Sequence, residues 1–126
     1  MIGAEVYPIC LAEMSSYSED ADKLMNEDEH EKMKAFLAVH PELGEKIAGV
    51  DGLRQVFWPI GSKAKWQIFY YFRDLNIPLF LLAMYVSPFV SLDEEYRQFL
   101  AKIVAQLVAE YRRQWATLFS RLDPIA

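Results

Sequence analysis

The chain has 126 residues, 53% of them hydrophobic and 25% charged, which excludes a wholly disordered chain and, at about 100–200 residues per domain, points to a single domain. Thirteen Lys and Arg against eighteen Asp and Glu leave a net charge of −5, the wrong sign for a dedicated binder of nucleic acid or anionic membrane. The acidity is concentrated: residues 1–50 hold four lysines against eleven acids, a net of −7, whereas residues 51–126 hold nine basic against seven acidic residues, a net of +2.

Residues 5–14 form a weak strand candidate, with Pro8 confining it to an edge or a bulge. The polar stretch from Ser15 to Asp22 reads as a loop or a short helical turn. Asn26 followed by Glu29 has the N-cap and N3 pattern of a helix start, and Met33, Phe36, Leu37 and His40 continue at helical spacing until Pro41 closes the run. The acids Glu27, Asp28 and Glu29 suit the positive end of that helix. A turn-rich segment with Gly44, Gly49 and Gly52 follows.

Three β-type runs come next, over 53–59, 66–73 and 79–86. Short links between them predict an antiparallel meander, with the apolar third run central. In the second run Trp66, Ile68, Tyr70 and Phe72 alternate with Gln67, Phe69, Tyr71 and Arg73. Exposed aromatics of this kind stack on bases, but both faces are mostly apolar, and packing under helices accounts for them better. Ser91 and Glu94 form a capping box opening a helix of about 27 residues. At about 1.5 Å per residue it measures about 40 Å and is expected to overhang a domain of this size. The overhang, with Val108, Tyr111, Trp115, Leu118 and Phe119, is apolar and predicts a dimer or a heteromeric complex. The apolar run 77–86 is too short for a membrane span, which needs about 20 residues. The first ten residues have no basic segment followed by an apolar core, so a cytoplasmic location with no membrane partner is expected.

Few residues carry recognisable chemistry. His30 and His40 lie ten apart on one helix and face different ways, so surface or helix-end roles are expected of both. No His, Cys, Asp or Glu spacing resembles a metal site, so neither metal nor cofactor is expected. Cys10, the single cysteine, reads as a buried structural thiol. One basic cluster remains, Arg54 on the first of the three strands with Lys63 and Lys65 in the following loop. These are either surface charges or cations able, alone or with a Tyr, to stabilise a phosphorane and a leaving oxygen during metal-free RNA cleavage.

Pro41, Leu43, Gly44, Ile47, Gly49 and Gly52-Leu53-Arg54, then Gly61, Lys63, Lys65, Tyr70-Tyr71, Asp74, Leu81-Leu82, Tyr85 and the late helix after Leu92, form a spaced pattern over about residues 24–110. In this pattern the chain resembles the RelE/HigB toxin family of type II toxin–antitoxin modules. The resemblance implies an α+β fold of the RelE-like microbial-ribonuclease type, an antiparallel sheet packed with helices and a long C-terminal helix. It implies a ribosome-dependent, metal-independent mRNA endoribonuclease (an mRNA interferase), neutralised by a cognate antitoxin, commonly a helix-turn-helix protein. Carried over by position, the catalytic set is Lys63, Lys65, Arg54 and Tyr85. The departures are equally specific: Gln55, Phe57 and Gln67 stand at usually cationic positions, and Val86-Ser87-Pro88 replaces the family's Lys-Asn-Glu after the tyrosine. Two readings follow, a toxin with weakened cleavage and a RelE-fold protein that has lost cleavage and serves as a protein-binding or oligomerisation module, with homo-oligomers forming through the C-terminal helix. Whether Trp66 and Phe57 fill the RNA groove or extend a protein interface is open, with the latter favoured.

Overall fold

The computed structural model describes residues 9–61 and 63–122, with side chains in the last helix described through Ala116. The chain divides into two compact units, Met1–Ser91 and Leu92–Ala126. The first holds β1 (Leu11–Glu13), α1 (Ser15–Leu24), α2 (Glu27–Val39), β2 (Glu45–Lys46), β3 (Leu53–Trp58), β4 (Trp66–Tyr71) and β5 (Leu79–Val86). The second holds α3 (Glu94–Leu122). The architecture is α+β.

The five strands form one sheet in the order β1-β5-β4-β3-β2. The expected meander is present: β3 pairs antiparallel with β4, and β4 with β5. The sheet as a whole is mixed rather than antiparallel, because β1 runs parallel to β5. Between these two strands the chain runs through α1 and α2 to the far edge strand β2 and returns across the sheet through β3 and β4. β1 lies at an edge, as Pro8 suggested, although residues 1–8 themselves lie outside the described residues. The two-residue β2, too short to register as a sequence pattern, forms the other edge against Arg54 and Gln55.

The segment expected to be a loop or a short helical turn forms the full ten-residue helix α1. Its polar majority hides a short apolar stripe, Tyr17, Ala21 and Met25, which is buried against the sheet's core cluster. Packing of this stripe, not propensity, holds so short a helix. Asn26 caps α2 as expected, its side chain accepting from the Glu29 amide at 2.8 Å. For α3 the cap is Asp93, which accepts from the Tyr96 amide at 2.7 Å; Ser91 stands two residues too early. A carboxylate directly before the first helical residue satisfies the same orphan N–H while also meeting the helix dipole.

Alternation on β4 sorts the two sheet faces as the sequence suggested. Trp66, Ile68, Tyr70 and Phe72 join Val56, Trp58, Leu79, Leu81 and Met84 in one cluster with Tyr17, Met33 and Leu37 of the two helices. Trp58 Nε1 donates to Glu29 Oε2 at 2.6 Å, fastening the end of β3 to the first turn of α2. Cys10 is exposed, not buried, because it precedes the short edge strand β1 and its side chain stays outside the core.

His30 overturns the expectation of a surface role. It is buried, sharing a hydrogen bond of 2.9 Å between its Nε2 and Tyr17 Oη. His40 does sit at a helix end, as the C-cap residue of α2. Burial disfavours charged His30 and the nearby Lys34 ammonium acts the same way, and together they outweigh Glu13, Glu31 and Asp22, so its pKa lies below the ordinary 6.5. The unfolded chain therefore takes up this proton first, and as the pH falls below about 6.5 folding stability declines until the native imidazole also protonates. The expected result is a fall in unfolding free energy between pH 7 and pH 5 that is shallower in His30→Gln, measured by urea denaturation at several pH values.

Candidate functional site

Arg54, on β3, lies opposite Tyr70 on β4 and therefore on the sheet face that carries α1 and α2. Its guanidinium is buried, and Nη1 donates to the carbonyls of Glu42 at 3.0 Å and Gly44 at 2.8 Å. Tyr70 completes the fastening: its hydroxyl accepts from the Gly44 amide at 2.7 Å and donates to the Pro41 carbonyl at 2.9 Å. The segment 41–44 is thereby pinned by two side chains from neighbouring strands. A glycine is required at its end, since a Cβ on Gly44 would lie 2.5 Å from the Tyr70 hydroxyl and 2.9 Å from the Gln55 carbonyl. The structure thus binds together Pro41, Gly44, Arg54 and Tyr70, four positions of the spaced pattern, in one buried clamp.

The other candidate residues lie elsewhere. Lys63 and Lys65 are exposed in the link between β3 and β4, where the Lys65 amide donates to the Trp58 carbonyl at 2.8 Å. That link leaves β3 four residues beyond Arg54, about 13 Å along the strand at about 3.3 Å per residue. Tyr85, half-buried on β5, pairs with Gln67 and so belongs to the opposite face from Arg54. Its ring meets Phe69 edge-on at 6.1 Å. Arg54 and Tyr85 therefore do not converge on one side of the sheet.

The face on which Gln55, Phe57, Gln67 and Tyr85 sit is clasped by the chain's own segment 87–90. Gln67 is 2% exposed. Its Oε1 accepts from the Val90 amide at 2.8 Å, while Nε2 donates to the Val90 carbonyl at 3.0 Å and to Gln55 Oε1 at 3.2 Å. The side-chain amide presents one acceptor and one donor to the same residue, as a neighbouring strand would. Beside it Phe89 packs on Phe57 with ring centroids 5.2 Å apart. Gln67 and Phe57 thus hold this strap down, and Gln55 supports Gln67.

Trp66 takes no part in this face. It packs against the core cluster with the helices, and its Nε1 donates to the Leu24 carbonyl at 3.0 Å. This corrects the expectation that Trp66 extends an interface alongside Phe57: adjacent to Gln67 in sequence, it points the other way because strand side chains alternate. The strap residues Phe89 and Val90 were not singled out in the sequence. Their available signal was the mostly apolar, uncharged run Val86-Ser87-Pro88-Phe89-Val90 directly after the third β-type run.

Elsewhere in the first unit a polar pocket of about 510 Å³ is lined by Glu13, Asp22, Glu27, His30, Glu31 and Lys34, among others. Lys34 pairs there with Glu13 and Glu31, each at 3.0 Å. Burial acts to raise the Glu13 pKa, but hydrogen bonds from Ser18 and Lys34 hold it below the ordinary carboxylate value. Among the described residues no group of three or more His, Cys, Asp or Glu is placed to hold a metal ion, and no helix is long and apolar enough to cross a membrane. Comparison of the chain with protein-family models and with curated proteins finds no match.

Proposed function

We propose that this chain is a RelE/HigB-like domain that has lost mRNA cleavage and acts by binding protein, a cognate antitoxin of the helix-turn-helix kind being the first partner to seek. The observation that carries this reading is the clasp of Gln67 on Val90, with Phe89 on Phe57 beside it. Metal-free RNA cleavage requires fixed cations around the scissile phosphate, and each missing donor of this type costs about 10²–10³-fold in rate. On this sheet face amides and aromatic rings stand where the family's cations are expected, and the chain itself occupies the space above them. Arg54, the carried-over cation nearest the sheet centre, is buried, with its Nη1 held by the carbonyls of Glu42 and Gly44.

A second reading, an active ribosome-dependent endoribonuclease in the cytoplasm, draws on the exposure of Lys63 and Lys65. Induced expression in a bacterial host, with growth and mRNA integrity followed together, separates the two. The expected result is undiminished growth and intact mRNA with soluble, folded protein. Growth arrest accompanied by cleavage of translated mRNA, relieved by Lys63→Ala with Lys65→Ala, overturns the first reading in favour of the second.

A further inference from the structure

The polar pocket lined by residues of β1, α1 and α2 contains a hydrogen-bond donor that the fold does not use. Tyr17 is fully buried, and its hydroxyl has one partner among the described residues, His30 Nε2 at 2.9 Å. Burial and the nearby Glu13 carboxylate keep that hydroxyl protonated. Were Nε2 to carry the imidazole proton, the Tyr17 O–H would be buried with nothing to accept it, an arrangement that folded proteins rarely keep. The hydroxyl therefore donates, Nε2 accepts, and the neutral ring carries its proton on Nδ1. His30 is 8% exposed and lines the pocket, and its Nδ1 bonds to no described residue and is not enclosed by protein. An Nδ1–H donor thus opens into the cavity.

The charges around this donor decide what it meets. Four carboxylates, Glu13, Asp22, Glu27 and Glu31, line the pocket against one ammonium, Lys34, a net of −3. Lys34 is already paired with Glu13 and Glu31 at 3.0 Å each, whereas Asp22 and Glu27 are exposed and pair with no described cation. An anion suits the Nδ1–H donor but is repelled by this excess of acid, and a simple cation satisfies the acids but leaves the donor unmet. Nor are the described acids and histidines placed to hold a metal ion. A ligand that answers both needs carries a positive charge and a neutral oxygen acceptor side by side. At about 510 Å³ the pocket is of a size that takes a small molecule or the end of a chain.

We infer that this pocket binds an α-ammonium group with a neutral carbonyl beside it, the chemistry of a peptide amino terminus, with Asp22 and Glu27 meeting the ammonium and His30 Nδ1 donating to the carbonyl. The inference stands whether or not the sheet face cleaves RNA. The test is an NMR titration of the full chain with small probes. Alaninamide carries both groups, propylamine only the ammonium, N-acetylalaninamide only carbonyls, and acetate stands for an anion. At about pH 7 the ring nitrogen shifts of the free protein should identify His30 as the Nδ1–H tautomer. Alaninamide should shift the His30 Nδ1 signal saturably and bind about 5-fold or more tighter than propylamine or N-acetylalaninamide, with acetate weakest. Tyr17→Phe frees Nε2 to take the proton; it should move the tautomer toward Nε2–H and erase the preference for alaninamide over propylamine. Asp22→Asn with Glu27→Gln should weaken alaninamide and propylamine alike by about 5-fold and leave N-acetylalaninamide unchanged. This double variant alters only exposed side chains, so it serves as the test even where Tyr17→Phe unfolds the chain. Alanyl-alaninamide separates the sources of such a group: binding as tight as alaninamide identifies a peptide terminus, and exclusion identifies a free small amine. An Nε2–H tautomer in the parent, equal binding of alaninamide and propylamine, tighter binding of acetate, or no saturable shift at His30 overturns the inference.

Discussion

Arg54→Ala is expected to lose about 3–4 kcal/mol of folding stability, among the largest effects of any single substitution in this chain. The side chain donates to the carbonyls of Glu42 and Gly44 from a buried position. Removing it leaves both acceptors without that donor and opens a void beside Tyr70. Each stranded buried group costs about 1–3 kcal/mol. Arg54→Lys should recover part of the loss, since both bonds come from the single Nη1 atom and an ammonium can donate to two carbonyls, while its shorter, unbranched head leaves part of the guanidinium's space unfilled. Urea denaturation followed by tryptophan fluorescence measures this directly. A surface cation kept for chemistry behaves differently, because its removal leaves stability within about 0.5 kcal/mol. Lys63→Ala and Lys65→Ala, both exposed, provide that comparison. An Arg54→Ala protein as stable as the parent removes the clamp from the account of this fold.

Gln67→Leu is the second large effect, and it tests the clasp. Leucine keeps most of the volume but offers neither donor nor acceptor, so the Val90 amide and carbonyl lose the partners they have at 2.8 and 3.0 Å. A loss of about 2–4 kcal/mol is expected from two stranded backbone groups. The change is local as well as global: amide hydrogen exchange at Phe89 and Val90 should quicken beyond what lower global stability explains. Gln67→Glu separates shape from hydrogen bonding, since an ionised carboxylate still accepts from the Val90 amide but repels the Val90 carbonyl. If Gln67→Leu leaves exchange at Val90 unchanged, the strap is held by Phe89 on Phe57 alone and the clasp carries little of the closure.

Much of this molecule follows from short-range rules that act on neighbouring residues. The N-cap at Asn26, the helix end at His40-Pro41, the three runs of β3, β4 and β5 and the alternation of Trp66, Ile68, Tyr70 and Phe72 against Gln67 and Phe69 all depend on local periodicity and local capping, and each is present. Ser91 and Asp93 both fit local capping patterns ahead of α3, and only the geometry of the turn makes Asp93 the cap.

What local rules do not reach is the set of contacts between residues distant in sequence. Helix α1 exists because Tyr17, Ala21 and Met25 find a sheet to cover, and its own composition is that of a loop. The parallel docking of β1 on β5 joins the first and last strands of the sequence, with two helices and three strands between them. His30 is buried because Tyr17, thirteen residues away, offers a hydroxyl to its ring. Arg54 shows the point most clearly. Its type and place in the sequence suit a cation facing a phosphate, and the same guanidinium suits bare backbone carbonyls equally well. Which of these it meets was settled by strand register, which turned Arg54 toward the helices and Gln67 toward the strap. A shift of one residue along β3 exchanges the faces of all its side chains.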